Sequence, residues 1–151
     1  MPGVVMKIRI LLVDDEKEFV ETLAERLRTR GFHVTESFRG EDALEKFKEY
    51  NFDVLILDVQ MPGMSGIEVL GAIKKLKPLT EVLMLTGHAT IETAIEGMKM
   101  GAFDFLLKPC KIDVLIEKIN KANERKSEHE ERIRKAMVDK LSTSPMSVFE
   151  K

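Results

Sequence analysis

The sequence predicts an α/β fold in which five parallel strands, in the order 2-1-3-4-5, form one doubly wound sheet with five helices. Short apolar segments alternate with amphipathic ones five times along the first 120 residues, a pattern typical of parallel strands joined by helices. The segments assigned to strands 1, 3 and 4 are almost continuously apolar, as in strands buried on both faces. Right-handed crossovers leave few topologies, and this order places the ends of strands 1 and 3 side by side.

Each element follows from local periodicity and from the residues that end it. The predicted strands cover residues 8–13, 33–38, 53–57, 81–85 and 103–107. The predicted helices have apolar residues at helical spacing and cover residues 16–30, 41–50, 67–76, 91–100 and 111 to about 125. Gly31 and Gly101 end the first and fourth helices, and Pro78 ends the third. Ser65 is the predicted N-cap of the third helix, and Glu68 completes a capping box.

Composition excludes several classes of protein. The chain has 151 residues, 44% hydrophobic and 33% charged, as expected for one globular domain. Its net charge of −2 provides no basic field for direct nucleic-acid binding. Its longest apolar runs, such as residues 54–57, are too short to cross a membrane, and the N-terminus lacks the apolar core of a secretory signal. The single cysteine, Cys110, excludes an intramolecular disulfide and favours a cytoplasmic location.

The end of the chain differs in composition from the rest. Residues 123–132 contain no apolar side chain. We expect residues 7–125 to form the domain and residues 126–151 to form a polar C-terminal helical extension or tail. The extension is either a solvated continuation of the fifth helix that frays or a signalling helix that binds a partner. The second interpretation would use apolar residues at a spacing of four, which are Ile133, Met137 and Leu141.

Polar residues follow four of the predicted strands. Asp14 and Asp15 follow strand 1, Asp58 follows strand 3, Thr86 follows strand 4, and Lys108 follows strand 5. We expect these side chains to meet in one crevice, because the carboxyl ends of parallel strands share an edge of the sheet. Carboxylates placed so close repel one another. Mg²⁺, which prefers hard oxygen ligands, would remove that repulsion, and the lysine would help to neutralise a phosphoryl group.

Four motifs at these strand ends resemble the receiver domain of two-component response regulators over roughly residues 7–125. They are LVDDE at residues 12–16, LDVQMPGMSG at 57–66, LTGH at 85–88 and FLLKP at 105–109. Each motif alone is weak, but all four in this order are specific. The resemblance implies a flavodoxin-like fold. Residues 87–94 and 101–105 further resemble receivers that regulate sigma-54-dependent transcription activators.

The resemblance implies a Mg²⁺ site made of oxygen ligands. Asp15 would bind the ion directly and Asp14 mainly through water. Asp58 would be a ligand as well as the phosphoacceptor. Gln60 would contribute its backbone carbonyl, which leaves its side chain free to vary.

The resemblance also implies how a phosphoryl group is received and reported. Asp58 would be the carboxylate nucleophile, while the Thr86 hydroxyl and the Lys108 ammonium would bind phosphoryl oxygens. The Lys108–Pro109 bond would be cis, which suits a tight turn. Thr86 and Phe105 would form the switch, with the aromatic ring turning into space beside the fourth helix. On spacing alone, a core residue is the better interpretation of Phe105.

The implied protein is a phosphoacceptor signalling domain that catalyses its own phosphorylation and slow dephosphorylation, rather than an enzyme with a separate substrate. Its partners would be a sensor histidine kinase and an output protein of unknown identity. The output face would be the fourth helix, the fifth strand and the fifth helix, and a homodimer through this face is a further expectation. No direct contact with nucleic acid or membrane is expected.

Three other functions are less consistent with the sequence. A flavin-binding module needs a phosphate-welcoming loop after strand 1, where this chain has Asp14, Asp15 and Glu16, and it has no tryptophan. A phosphatase of the haloacid dehalogenase kind has a second aspartate two residues after the nucleophile, where this chain has Gln60. A scaffold that is never phosphorylated would not need the full acid, threonine and lysine set. Asp14 and Asp15 also have a purely structural interpretation as caps of the first helix.

Overall fold

Strands and helices alternate along residues 6–88 and 90–143, which are the residues that this computed structural model describes. The strands are β1 (Arg9–Val13), β2 (His33–Ser37), β3 (Val54–Leu57), β4 (Glu81–Thr86) and β5 (Asp104–Leu107). The helices are α1 (Lys17–Arg28), α2 (Gly40–Glu49), α3 (Gly66–Leu76), α4 (Ile91–Lys99) and α5 (Ile112–Thr143). The sheet is parallel in the order β2-β1-β3-β4-β5, which confirms the predicted fold and strand order.

The central strands are buried on both faces because alternate side chains enter two separate cores. Ile10 and Leu12 of β1 pack on the face covered by α1 and α5, whereas Leu11 and Val13 pack on the opposite face. This period of two is the expected geometry of a strand. It explains why the central residues of β1, β3 and β4 are apolar without interruption.

The fifth helix continues into the residues for which a helical extension or tail was predicted. Its apolar pattern ends before residue 125, but α5 continues to Thr143. Residues 131–142 are all exposed, so this part of the helix is not stabilised by packing. Intrinsic helix propensity and ion pairs between side chains along the helix stabilise it instead. Lys126 pairs with Glu130 at 2.7 Å, and Arg134 pairs with Glu131 at 2.5 Å. Residues 144–151 of the predicted extension and residues 1–5 lie outside the described residues.

Ion pairs connect α5 to the edge of the sheet at which the strands begin. Asp53 accepts hydrogen bonds from the Arg9 guanidinium, at 3.0 Å for Nη2, and lies 3.3 Å from Lys126 Nζ. Arg125 Nη2 donates to the buried Glu81 carboxylate at 2.7 Å. Contacts with the sheet therefore extend at least to Lys126, and the division of the chain at residue 125 remains a prediction. Among the helices described, none combines the length and apolar character needed to span a bilayer.

Candidate functional site

Three carboxylates converge at the carboxyl edge of the sheet. Asp14 and Asp58 directly follow β1 and β3, whose last residues, Val13 and Leu57, are paired in register. The Asp58 amide donates to the Val13 carbonyl at 3.0 Å and fixes the two strand ends together. One oxygen each from Asp14, Asp15 and Asp58 lies within 4.8 Å of the others. Parallel pairing thus brings together the aspartates that the sequence predicts as a group.

Burying several carboxylates together costs free energy unless a positive charge lies beside them. Asp14 and Asp58 are 1% and 3% exposed, while Asp15 is exposed. Burial raises the pKa of Asp14, and the Asp58 charge adds to the rise, although hydrogen bonds from Lys108 and the Glu16 amide oppose it. Oδ1 of Asp58 is buried and has no hydrogen-bond partner among the described residues. An unsatisfied carboxylate oxygen beside two further carboxylates is the donor set that suits a small, hard cation.

Lys108 is a positively charged side chain in direct contact with this cluster of aspartates. Its Nζ donates to Asp14 Oδ2 and to Glu16 Oε1, both at 2.6 Å. It also lies 4.1 Å from the centre of the Phe19 ring. Burial lowers the pKa of Lys108, but the two hydrogen bonds outweigh this and the net direction is upward. Two carboxylates therefore hold the Lys108 ammonium in place. The predicted cis bond to Pro109 is present.

Glu16 belongs to the site, although no role for it was predicted from the sequence. It is the N-cap residue of α1, but its side chain makes no capping hydrogen bond. Because Glu16 occupies this position, neither aspartate before it is the N-cap. The Glu16 amide donates to Asp14 Oδ1 at 2.9 Å. The place of Glu16 as the third acidic residue of the LVDDE motif was the one feature of the sequence that could have indicated a role in the site.

Thr86 and Gln60 occupy different positions around the site. Thr86 is the last residue of β4 and is fully buried, and its Oγ1 accepts a hydrogen bond from the His88 amide at 3.1 Å. Gln60 is exposed and lines an open cleft of about 940 Å³. Asp15, Glu16, Asp58 and His88 line the same cleft, whereas Thr86 and Lys108 do not. The cleft gives a ligand access to Asp58 from solvent.

Phe105 lies between the core and α4. It is partly buried and packs against the core cluster that contains Met84. A Cβ built at Gly97 of α4 would lie 3.8 Å from Phe105 Cδ2. The ring is thus close to the helix that the predicted switch would use, in a position that also suits a core residue.

The loop after Asp58 is fixed by the start of α3. Ser65 Oγ accepts from the Glu68 amide at 3.3 Å, and the Ser65 amide donates to Glu68 Oε1 at 3.0 Å. This confirms the predicted capping box. The Gly66 amide donates to the Val59 carbonyl at 2.8 Å, which ties the helix start to the strand end. Sequence reasoning included Gly66 in a motif but assigned it no role.

Comparisons with known proteins agree with this geometry. The sequence model described as the response regulator receiver domain matches residues 10–120. The chain is similar to the transcriptional regulatory protein ZraR of Salmonella typhimurium, with 41% identity over 116 residues, which is 77% of this chain and 26% of ZraR. It thus spans about a quarter of the length of that relative.

Solved structures give the same result. A receiver domain protein from Methanospirillum hungatei superposes with a TM-score of 0.80 and 27% identity, covering 82% of this chain and 99% of that one. A receiver domain from Clostridium thermocellum has a TM-score of 0.76 and 37% identity, covering 80% and 97%. The chain belongs to the receiver domains of two-component response regulators.

Proposed function

We propose that Asp58 accepts a phosphoryl group from the phosphohistidine of a sensor kinase. A carboxylate oxygen of Asp58 attacks phosphorus, the bond from phosphorus to the histidine nitrogen breaks, and that nitrogen keeps the electron pair. The product is an acyl phosphate on Asp58. The observation that carries this proposal is the buried Asp58 oxygen that has no hydrogen-bond partner within the described part of the chain, on a residue that lines an open cleft together with Asp15 and Glu16.

Asp14, Asp15 and Asp58 would hold Mg²⁺, together with the backbone carbonyl of Gln60. When bound, the ion would offset the negative charge of the carboxylates and of the incoming phosphoryl oxygens. Asp15 is exposed on the cleft and is accessible to a hydrated ion, whereas Asp14 is buried and already bonded to Lys108. This difference supports a direct role for Asp15 and a mainly water-mediated one for Asp14.

Lys108 and Thr86 would bind the phosphoryl oxygens. The raised pKa of Lys108 supports a permanent positive charge for this role. Thr86 Oγ1 accepts from the His88 amide, and a hydroxyl that accepts one hydrogen bond still has its own proton to donate. The present contact of Thr86 therefore leaves its hydroxyl proton available to a phosphoryl oxygen. The chain would in this way catalyse its own modification, and water would later hydrolyse the acyl phosphate.

Movement of Thr86 toward the phosphoryl group would be transmitted through Phe105 to α4. The face formed by α4, β5 and α5 carries exposed apolar residues, which are Ile91, Ile95, Met98, Leu107 and Val114. Exposed apolar side chains on one face are typical of a surface that binds another protein. We propose that an output protein, or a second copy of the chain, binds there. The domain would work in the cytoplasm, where a kinase would donate the phosphoryl group and a single cysteine would stay reduced. We propose that it does not itself bind nucleic acid or membrane.

Incubation with acetyl phosphate and Mg²⁺, followed by intact-mass and peptide analysis, tests the proposal. We expect one phosphoryl group per chain, stable in acid and labile in base, on the peptide that contains Asp58. Asp58→Asn should abolish labelling and Lys108→Ala should slow it. Asp104→Asn, which removes an aspartate at the start of β5, should leave labelling unchanged. Labelling of another residue, or none in the wild type, would refute the proposal.

A further inference from the structure

The Lys108 ammonium is shared between two carboxylates that differ in environment. The Asp14 side chain is 2% exposed and belongs to the group of three that would hold a cation, whereas the Glu16 side chain is 63% exposed and does not belong to that group. Both oxygens lie 2.6 Å from Lys108 Nζ. A cation bound by Asp14 would weaken the hold of that residue on Lys108, but it would leave the contact with Glu16 in place.

We propose that Glu16 is a positioning residue that holds Lys108 away from the phosphoryl position until a phosphoryl group arrives there, and thereby slows phosphorylation of Asp58. The inference rests on the proposed function, because it assumes that Lys108 binds a phosphoryl oxygen during transfer. To do so, the ammonium must leave or share the Glu16 carboxylate. Glu16 also lines the cleft, so its contact with Lys108 lies beside the opening through which a phosphoryl donor would reach Asp58.

The local structure argues against a purely structural role for this carboxylate. Glu16 occupies the N-cap position of α1, where Ser, Thr, Asp or Asn side chains ordinarily bond to the amides of the first turn. It makes no such bond. The backbone of Glu16 is held independently, because its amide donates to Asp14 Oδ1 and its carbonyl accepts from the Val20 amide at 3.0 Å. The contact described for its carboxylate is with Lys108.

The expected change in the phosphorylation rate follows from the solvent exposure of the Glu16 side chain. An ion pair with one partner in solvent is screened, so its loss changes an equilibrium or a rate by about two- to fivefold. We therefore expect Glu16→Gln to increase the rate constant for phosphorylation by acetyl phosphate by about that factor.

The test is a double-mutant cycle with a matched control. Phosphorylation rates are measured for the wild type, Glu16→Gln, Lys108→Ala and the double variant. If Glu16 acts through Lys108, Glu16→Gln has no effect when Lys108 is already absent. Glu18→Gln removes the same charge from an exposed residue of the first turn of α1, and its rate should equal that of the wild type.

A second measurement needs neither metal nor phosphodonor. In metal-free protein, the ¹⁵N signal of the Lys108 ammonium should shift, and its protons should exchange faster, in Glu16→Gln but not in Glu18→Gln. A rate for Glu16→Gln equal to or below that of the wild type, an effect that persists without Lys108, or an unchanged ammonium signal would overturn the inference. Failure of the wild type to be labelled on Asp58 would instead refute the proposed function itself.

Discussion

Gly66 lies against the main chain of Asp58: a Cβ built at Gly66 would come within 1.9 Å of the Asp58 carbonyl oxygen. The neighbouring atoms are backbone, so no side-chain rotation can relieve the contact. The first residue of α3 and the proposed phosphoacceptor are thus in direct contact. Any side chain at residue 66 must move either the helix or the end of β3.

We therefore expect Gly66→Ala to destabilise the domain by about 3 kcal/mol, the upper part of the range for overpacking. It should also slow phosphorylation of Asp58, because the displaced backbone carries the reacting carboxylate. Urea unfolding and the labelling assay measure the two effects. Gly71→Ala, in the same helix, is the control, since its Cβ would meet only the terminal methyl of Met100. Equal stability of the two variants would contradict the prediction.

Mg²⁺ should stabilise the fold, because it would relieve the repulsion among Asp14, Asp15 and Asp58. At ten times its dissociation constant, an ion that binds only the native state adds about 1.4 kcal/mol to the free energy of unfolding. Urea unfolding with Mg²⁺, compared with NaCl at equal ionic strength, measures the gain. Asp15→Asn should lose most of it. A gain of the same size in NaCl would show that screening alone is responsible.

Asp53 makes stability depend on pH at the opposite edge of the sheet. Burial raises the pKa of Asp53, but hydrogen bonds from the Arg9 side chain and amide, with the Arg9 and Lys126 charges, outweigh it and the net direction is downward. A carboxyl whose pKa is lower in the folded state stabilises the fold above its ordinary pKa of about 3.9, and this stabilisation is lost as pH falls through the folded value.

Asp53→Asn should therefore cost about 2 kcal/mol at pH 7, as expected for hydrogen bonds to a charged group. The difference from the wild type should shrink below about pH 4. Unfolding curves measured across this pH range provide the test. Glu49→Gln, which neutralises an exposed acid at the end of α2, should change stability by less than about 0.5 kcal/mol. A difference that is constant with pH would rule out the ion pairs as its cause.

The exposed end of α5 should contribute little to stability. A chain that ends at Glu130 keeps Arg125 and Lys126 with their partners Glu81 and Asp53, and its free energy of unfolding should lie within about 0.5 kcal/mol of that of the full chain. A chain that ends at Glu124 leaves the buried Glu81 without Arg125 and should lose about 3 kcal/mol. Equal loss in the two truncations would place the boundary of the domain further along α5.

The elements that bury apolar surface were predictable from sequence, and so was their arrangement. Continuous apolar segments and right-handed crossovers left few strand orders, from which the order of the resembling family was chosen. The pairing of β1 with β3 brings Asp14 near Asp58 as expected. Element ends differ by a few residues. Thr86, for instance, closes β4 rather than following it. The capping box of Ser65 and Glu68 was predictable because its signal is local.

Two features were predictable only in part. A continuation of the fifth helix beyond residue 125 was one of the expectations, but its end at Thr143 could not be placed, because periodicity detects buried faces and residues 131–142 have none. The contact of Glu16 with Lys108 joins residues 92 positions apart. The positions of these residues at strand ends indicate that they meet at one edge of the sheet. They do not indicate which carboxylate oxygen accepts a hydrogen bond from the lysine.

The central claim is that the carboxylates at the ends of β1 and β3 share a metal ion beside the phosphoacceptor. Anomalous diffraction from crystals grown with Mn²⁺ in place of Mg²⁺ tests it most directly. We predict one strong peak within coordination distance of a carboxylate oxygen of Asp15 and of Asp58, and no such peak in crystals of Asp15→Asn. A wild-type crystal with no peak at this edge of the sheet, or with a peak that contacts neither aspartate, would contradict the claim.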